Sequence, residues 1–107
     1  MFLIKKVSEN EYEDFLSLPR KIHKKNELMQ KISDEEMLLK GTHTLSRYFD
    51  LTAFVCYEDG RAVGRCAVTI YHGKDEGYIG FFDAENNLRA VREMFSVAEN
   101  FAREKGI

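Results

Sequence analysis

The stretch GYIGFFDAENNLRAVREMFSVAENFAREKGI, residues 77–107, decides how the rest of the chain is read. It predicts an apolar strand over residues 77–82, a short polar turn, and the most regular helix in the sequence. Leu88, Val91, Met94, Phe95, Ala98, Phe101 and Ala102 recur at the helical period and form one continuous apolar stripe. Asn86 or Asn87 can cap the start, since a short side-chain oxygen accepts a free backbone N–H of the first turn. Gly106 suits a left-handed stop, with Ile107 as the apolar residue after it. A strand–turn–helix unit normally returns into a further strand, so the unit reads as a βαβ cut short.

Upstream of it lies a predicted hairpin. Residues 51–58 (LTAFVCYE) and 61–71 (RAVGRCAVTIY) are β-branched and aromatic. Between them, Asp59-Gly60 supplies the two residues tolerant of positive φ that a tight hairpin turn needs. On the returning strand, Cys66, Val68 and Ile70 share one face and Val63, Arg65, Ala67, Thr69 and Tyr71 the other. Both faces are rather apolar, which predicts helices on both sides of the sheet. Arg65 is a charge inside an apolar strand. It reads as an ion pair with a neighbouring acidic residue or as an anion-binding arginine facing a cleft.

The N-terminal part opens with a predicted strand over residues 2–7 (FLIKKV). Ser8-Glu9-Asn10-Glu11 has the form of a capping box. The helix it starts turns Tyr12, Phe15, Leu16 and Leu18 inward, and Pro19 is expected to end or kink it. Arg20, Lys21, Lys24, Lys25 and Lys31 form a basic run, read as a solvated face or an anion contact. Ser33-Asp34-Glu35-Glu36 is a second capping-box pattern, opening a short helix through Leu39 that Gly41 ends. Residues 41–50 (GTHTLSRYFD) read as a loop anchored by Tyr48 and Phe49, with His43 as a hydrogen-bonding residue. The element order is β-α-α-β-β-β-α.

Composition bounds the function. With 107 residues the chain is expected to be a single domain over residues 1–107. Charged residues are 32% and hydrophobic ones 44%, as in a folded protein. A net charge of −2 offers no general attraction for nucleic acid or anionic lipid. No secretory or membrane-spanning segment is evident, so a cytoplasmic location is expected. Cys56 and Cys66 fall in apolar strands and read as buried thiols; a disulfide would require them to face each other across the hairpin. His23, His43 and His72 show no metal-ligand spacing. Ser17, Ser46 and Ser96 lack a nucleophile-elbow motif, and neither cysteine has one.

Several pieces taken together carry a resemblance. They are Phe15-Leu16-Ser17-Leu18-Pro19, His43, Asp59-Gly60-Arg61-Ala62-Val63-Gly64-Arg65, Gly80-Phe81-Phe82-Asp83, and the helix closing on Glu104-Lys105-Gly106. In this order they resemble the first two-thirds of the GNAT superfamily of acyl-CoA-dependent N-acyltransferases, more narrowly bacterial GNAT-like proteins. The resemblance implies an α/β (α+β) fold, a mostly antiparallel β-α-α-β-β-β-α sheet with helices on both faces, truncated after the central helix. It implies acetyl-CoA or another acyl-CoA as cofactor, its pantetheine arm along the fourth strand and its pyrophosphate at the next helix start. Here those positions are Phe81, Phe82, Asp83, Ala84, Asn86, Asn87, Leu88 and Arg89. A small-molecule primary amine would be the acceptor; the base is unassigned, with Glu76 and His72 standing at the mouth of the strand.

Two departures predict weak or absent activity for the chain alone. The glycines of the family's phosphate loop align with Arg89 and Val91, and Asp83 and Glu85 add negative charge nearby. The fifth strand and the helix with its frequent tyrosine proton donor are missing. A second reading follows from that gap: a non-catalytic module that self-associates, as a homodimer or with a completing chain, through the open sheet edge.

Overall fold

The computed structural model describes residues 2–22, 32–73, 76–85 and 88–106. Strand β1 (Phe2–Lys6) leads through a 3₁₀ turn (Glu9–Glu11) into helix α1 (Tyr12–Ile22). Helix α2 (Ile32–Lys40) and a second 3₁₀ turn (Thr44–Tyr48) precede strands β2 (Phe49–Glu58), β3 (Arg61–Tyr71) and β4 (Gly77–Ala84), and helix α3 (Leu88–Glu104) follows. The strands form one antiparallel sheet in the order β1-β2-β3-β4. This is the expected element order and sheet.

The sheet has an apolar core on each face. On one, Phe54, Cys56, Val63, Cys66 and Val68 meet Ala90, Met94 and Ala98 of α3. On the other, Ala53, Val55, Ala62 and Ala67 meet Phe15 and Leu18 of α1. Helices thus cover both faces, as two-sided hydrophobicity requires. Gly64 lets α3 approach: a Cβ built there would stand 2.6 Å from Met94 Cε.

Local signals acted as their chemistry dictates at several points. The Glu11 carboxylate accepts the Ser8 N–H at 2.9 Å and the Ser8 hydroxyl at 2.7 Å, closing the capping box. Asp59 and Gly60 have φ of 51° and 85°, the pair of positive values a two-residue hairpin turn demands. Gly41 and Gly106, at φ 76° and 84°, end α2 and α3.

Five expectations need correction. Val63 lies on the α3 face with Cys66, not beside Arg65, because the register slips between Cys56–Gly64 and Tyr57–Ala62 and places an extra residue on β3. The α3 stripe is rotated: Ala90 is buried, whereas Leu88 is 65% exposed and Phe95 40%. α1 does not stop at Pro19 but runs through to Ile22. α2 is already helical at Ile32, so Ser33 lies within the helix and not ahead of it. Residues 44–48 form a 3₁₀ turn and β2 begins at Phe49, so the predicted loop is shorter than expected.

Candidate functional site along strand β4 and the start of helix α3

The site is built on an irregular strand. Between the pairs Arg65–Asp83 and Ala67–Gly80, one residue of β3 stands against two of β4. Phe81 has φ +51°, a left-handed conformation that costs any side-chain-bearing residue energy. Strand alternation sends the two neighbouring aromatics to opposite faces. Phe81 packs towards Phe15 with ring centroids 6.1 Å apart, and Phe82 stacks on Phe95 at 4.7 Å. β4 is an edge strand of the sheet, with Tyr78 55% and Ile79 37% exposed.

Beneath the bulge sits Arg65, 3% exposed. Its Nε donates to Asp83 Oδ2 at 3.0 Å, and its Nη1 donates to Glu35 Oε1 at 3.1 Å and to the Phe15 carbonyl at 3.0 Å. Its guanidinium carbon is 4.6 Å from the Phe15 ring centroid and 5.7 Å from that of Phe81. The Phe15 carbonyl would normally accept from the N–H four residues on, but that residue is Pro19, which has none. The arginine supplies the donor the helix lacks. Of the two sequence readings of Arg65, the buried ion pair is the one the structure contains.

The acidic residues of the turn after β4 are also paired. Asp83 faces Arg65, and Glu85 forms a two-pronged contact with Arg61 while its N–H donates to the Val63 carbonyl at 2.9 Å. Beyond the turn, Ala84 is partly buried, and Leu88 and Arg89 stand exposed at the first turn of α3. Arg89 leans on Glu93 at 3.8 Å and lies 5.6 Å from the centroid of the Phe2 ring. Asn86 and Asn87 lie outside the described residues, as do Lys24, Lys25, Lys31, His23 and Ile107. Phe81, Phe82, Asp83 and Ala84 lie along β4 from the bulge onward, and Leu88 and Arg89 open α3.

The two groups weighed as bases differ. His72 Nε2 lies 3.1 Å from Asp50 Oδ1 and Nδ1 3.0 Å from the Arg47 carbonyl. Both partners only accept, so the doubly protonated ring satisfies them best, and the Asp50 contact raises the His72 pKa. Glu76 accepts the Tyr78 hydroxyl at 3.1 Å and is solvent-exposed. His43 caps the second 3₁₀ turn by accepting the Leu45 N–H at Nδ1, 3.1 Å away, a structural task. Glu35 is buried against Arg65, while Glu36 pairs with Lys40 at 2.7 Å.

Burial pushes the thiols of Cys56 and Cys66 up to about 11 and about 12, so neither is a nucleophile at neutral pH. Both are unbonded, diagonal to each other through the pairs Cys56–Gly64 and Phe54–Cys66. Among the described residues no three His, Cys, Asp or Glu side chains gather as metal ligands, and no helix is long and apolar enough to cross a membrane.

Some of this lay beyond sequence reading. Tyr78 stands on the surface, where its exposed ring meets Tyr71 edge-on at 5.7 Å, and Tyr71 meets Phe49 at 5.5 Å. A charge in an apolar strand signals a buried partner, but which of two adjacent glutamates supplies it is a question of helix rotation. Nothing local marks Phe81 as left-handed.

No protein-family model and no curated protein matches the sequence. Solved structures do match the fold. A probable acetyltransferase from Staphylococcus epidermidis ATCC 12228 is similar over all of this chain and 69% of its own, with 20% identity and a TM-score of 0.72. A tandem GNAT protein from the clavulanic acid biosynthesis pathway is similar over 99% of this chain and 34% of its own, at 15% identity and TM-score 0.76. An N-acetyltransferase from Staphylococcus aureus Mu50 gives 17% identity and a TM-score of 0.68 over 98% of this chain and 65% of its own. This chain thus spans about a third to two-thirds of the proteins it matches, and over that span its α+β architecture is the GNAT fold.

Proposed function

We propose that this chain is a GNAT-like acyl-CoA-binding domain, related to N-acetyltransferases and of weak or no activity alone. The observation that carries the reading is the β4 bulge: an edge strand, broken at Phe81, that precedes the exposed start of α3 in the chain. Bulges of this kind re-aim backbone groups and cluster beside functional sites. A pantetheine arm is a chain of amides and can pair with the backbone of residues 81–84, while the positive end of a helix dipole favours a pyrophosphate. Residues Phe81, Phe82, Asp83, Ala84, Asn86, Asn87, Leu88 and Arg89 would hold acetyl-CoA or a longer acyl-CoA. The pairing of Asp83 and Glu85 with arginines removes much of the repulsion their charges would exert on phosphate. Arg89 and Val91, where the family has glycines, narrow the cradle and weaken binding.

With an acceptor present, the chemistry would be direct. A primary amine loses a proton, its nitrogen bonds to the thioester carbonyl carbon, the C–S bond breaks, and CoA leaves as a thiolate that takes up a proton. The base that takes the amine's proton is unassigned, with Glu76 and His72 the two candidates at the mouth of the strand. Isothermal titration of the chain with acetyl-CoA and CoA tests the reading. Saturable heat at millimolar ligand or below is expected, and none at that concentration would end the cofactor assignment.

The second reading, a non-catalytic module that self-associates as a homodimer or with a completing chain, is favoured by one observation. β4 ends the sheet with Tyr78 and Ile79 exposed and no proline or lysine to blunt the edge. Light scattering at micromolar concentration tests this second reading, a clean monomer counting against association; a dimer is compatible with both, since CoA could bind across its interface.

A further inference from the structure

We infer that Arg65 is the positioning residue of the β4 bulge: it holds Phe81 in its left-handed conformation and so sets the course of the strand proposed to carry the acyl-CoA arm. A left-handed phenylalanine persists only where its surroundings over-determine it. Here the surroundings converge on one side chain. The guanidinium grips the strand just past the bulge through Asp83, at 3.0 Å, and lies against the Phe81 ring with its carbon 5.7 Å from the centroid. Its other end is fixed to both helices, through the Phe15 carbonyl at 3.0 Å and Glu35 at 3.1 Å. The planar, five-donor fork of arginine reaches three acceptors on three elements at once; a lysine ammonium, a single point on a flexible stem, cannot. At 3% exposure, water competes little for these contacts. Pro19 completes the device, because by withholding its N–H it leaves the Phe15 carbonyl for the arginine. The inference concerns the strand itself; only its consequence for ligand rests on the acyl-CoA reading.

The test uses the whole chain and nuclear magnetic resonance. In Arg65→Lys, the Cα and Hα shifts of Phe81 are expected to move from left-handed towards extended values. Amide exchange over residues 80–83 should accelerate by roughly tenfold or more, while the Asp59-Gly60 turn is unchanged. In a Phe81→Gly background, where positive φ carries no steric penalty, the same Arg65→Lys change is expected to leave the bulge in place. That rescue would not occur if the arginine merely stabilised the fold as a whole. Should Arg65→Lys fail to fold, Asp83→Asn replaces it, removing the charge on the strand while leaving the two helix anchors. Unchanged Phe81 shifts and unchanged exchange at 80–83 in the folded variant would overturn the inference. Titration with CoA separates the two claims. If the wild-type chain binds no CoA, the acyl-CoA reading fails and the bulge measurements still decide the role of Arg65. If it binds, an about tenfold weaker affinity in Arg65→Lys is expected, and an unchanged affinity alongside a displaced bulge would show that the bulge does not set the ligand's strand.

Discussion

His72 shows how far a single residue's role depends on what faces it. Its ring nitrogens meet a carboxylate and a carbonyl, and the Asp50 hydrogen bond, the largest influence, raises its pKa above 6.5. A group whose folded pKa is raised contributes its stabilisation fully below the unfolded value and loses it as pH rises through the folded one. Titration of the His72 ring is expected above pH 6.5 and lower in Asp50→Asn; a wild-type midpoint at or below 6.5 would refute the role of the Asp50 contact. Gly64 is decided at the same scale. Its missing Cβ is occupied by Met94, with Sδ at 2.9 Å from the built position, and Met94 is fully buried. Gly64→Ala is expected to destabilise by about 1–3 kcal/mol, the usual penalty of overpacking, and Met94→Ala in the same chain should recover part of it. Denaturant unfolding of the three variants measures both.

At the scale of elements, α1, α2, β3 and β4 are joined at one buried cation. Charge arithmetic makes that joint brittle: removing the arginine leaves Glu35 buried without its counter-charge. Arg65→Ala is expected to cost about 3–5 kcal/mol, read as a lowered denaturant midpoint with an unchanged slope. A much smaller loss would mean that water reaches the site. The β2–β3 hairpin is a separate element with its own requirement. Gly60 at φ +85° has open space around it, so Gly60→Ala meets no clash but takes the left-handed penalty, about 1–2 kcal/mol. The same unfolding measurement checks it. The element order and the hairpin turn were readable because each rests on local chemistry. The face assignment of Val63 was not, because a strand's alternation is broken by an extra residue whose only cause is its register with β2.

For the whole molecule, the open side is the consequence that matters. β4 presents an edge, and α3 leaves Leu88 and Phe95 exposed. Burying such surface against a second copy or a completing chain would remove it from water and pair the free strand groups. On the self-association reading, a dimer is expected at micromolar concentration. Ile79→Lys, placing a charge at a residue only 37% exposed on the edge strand, should dissociate it without unfolding the monomer. Light scattering with circular dichroism reads both, and a dimer unmoved by the change would place the interface elsewhere.

The amino-acid sequence by itself determined the order of the elements, the hairpin, the Ser8–Glu11 capping box and the two-sided sheet. Those follow from side-chain periodicity and from residues whose backbone preferences act over a few positions. Tertiary structure alone decided that Glu35 and not Glu36 meets Arg65, that Phe81 turns to the α1 face, and that α3 rolls to bury Ala90 and expose Leu88. Each of these is set by how separately specified elements dock, and a buried charge, a bulge and a helix roll take their energies from partners far away in the chain.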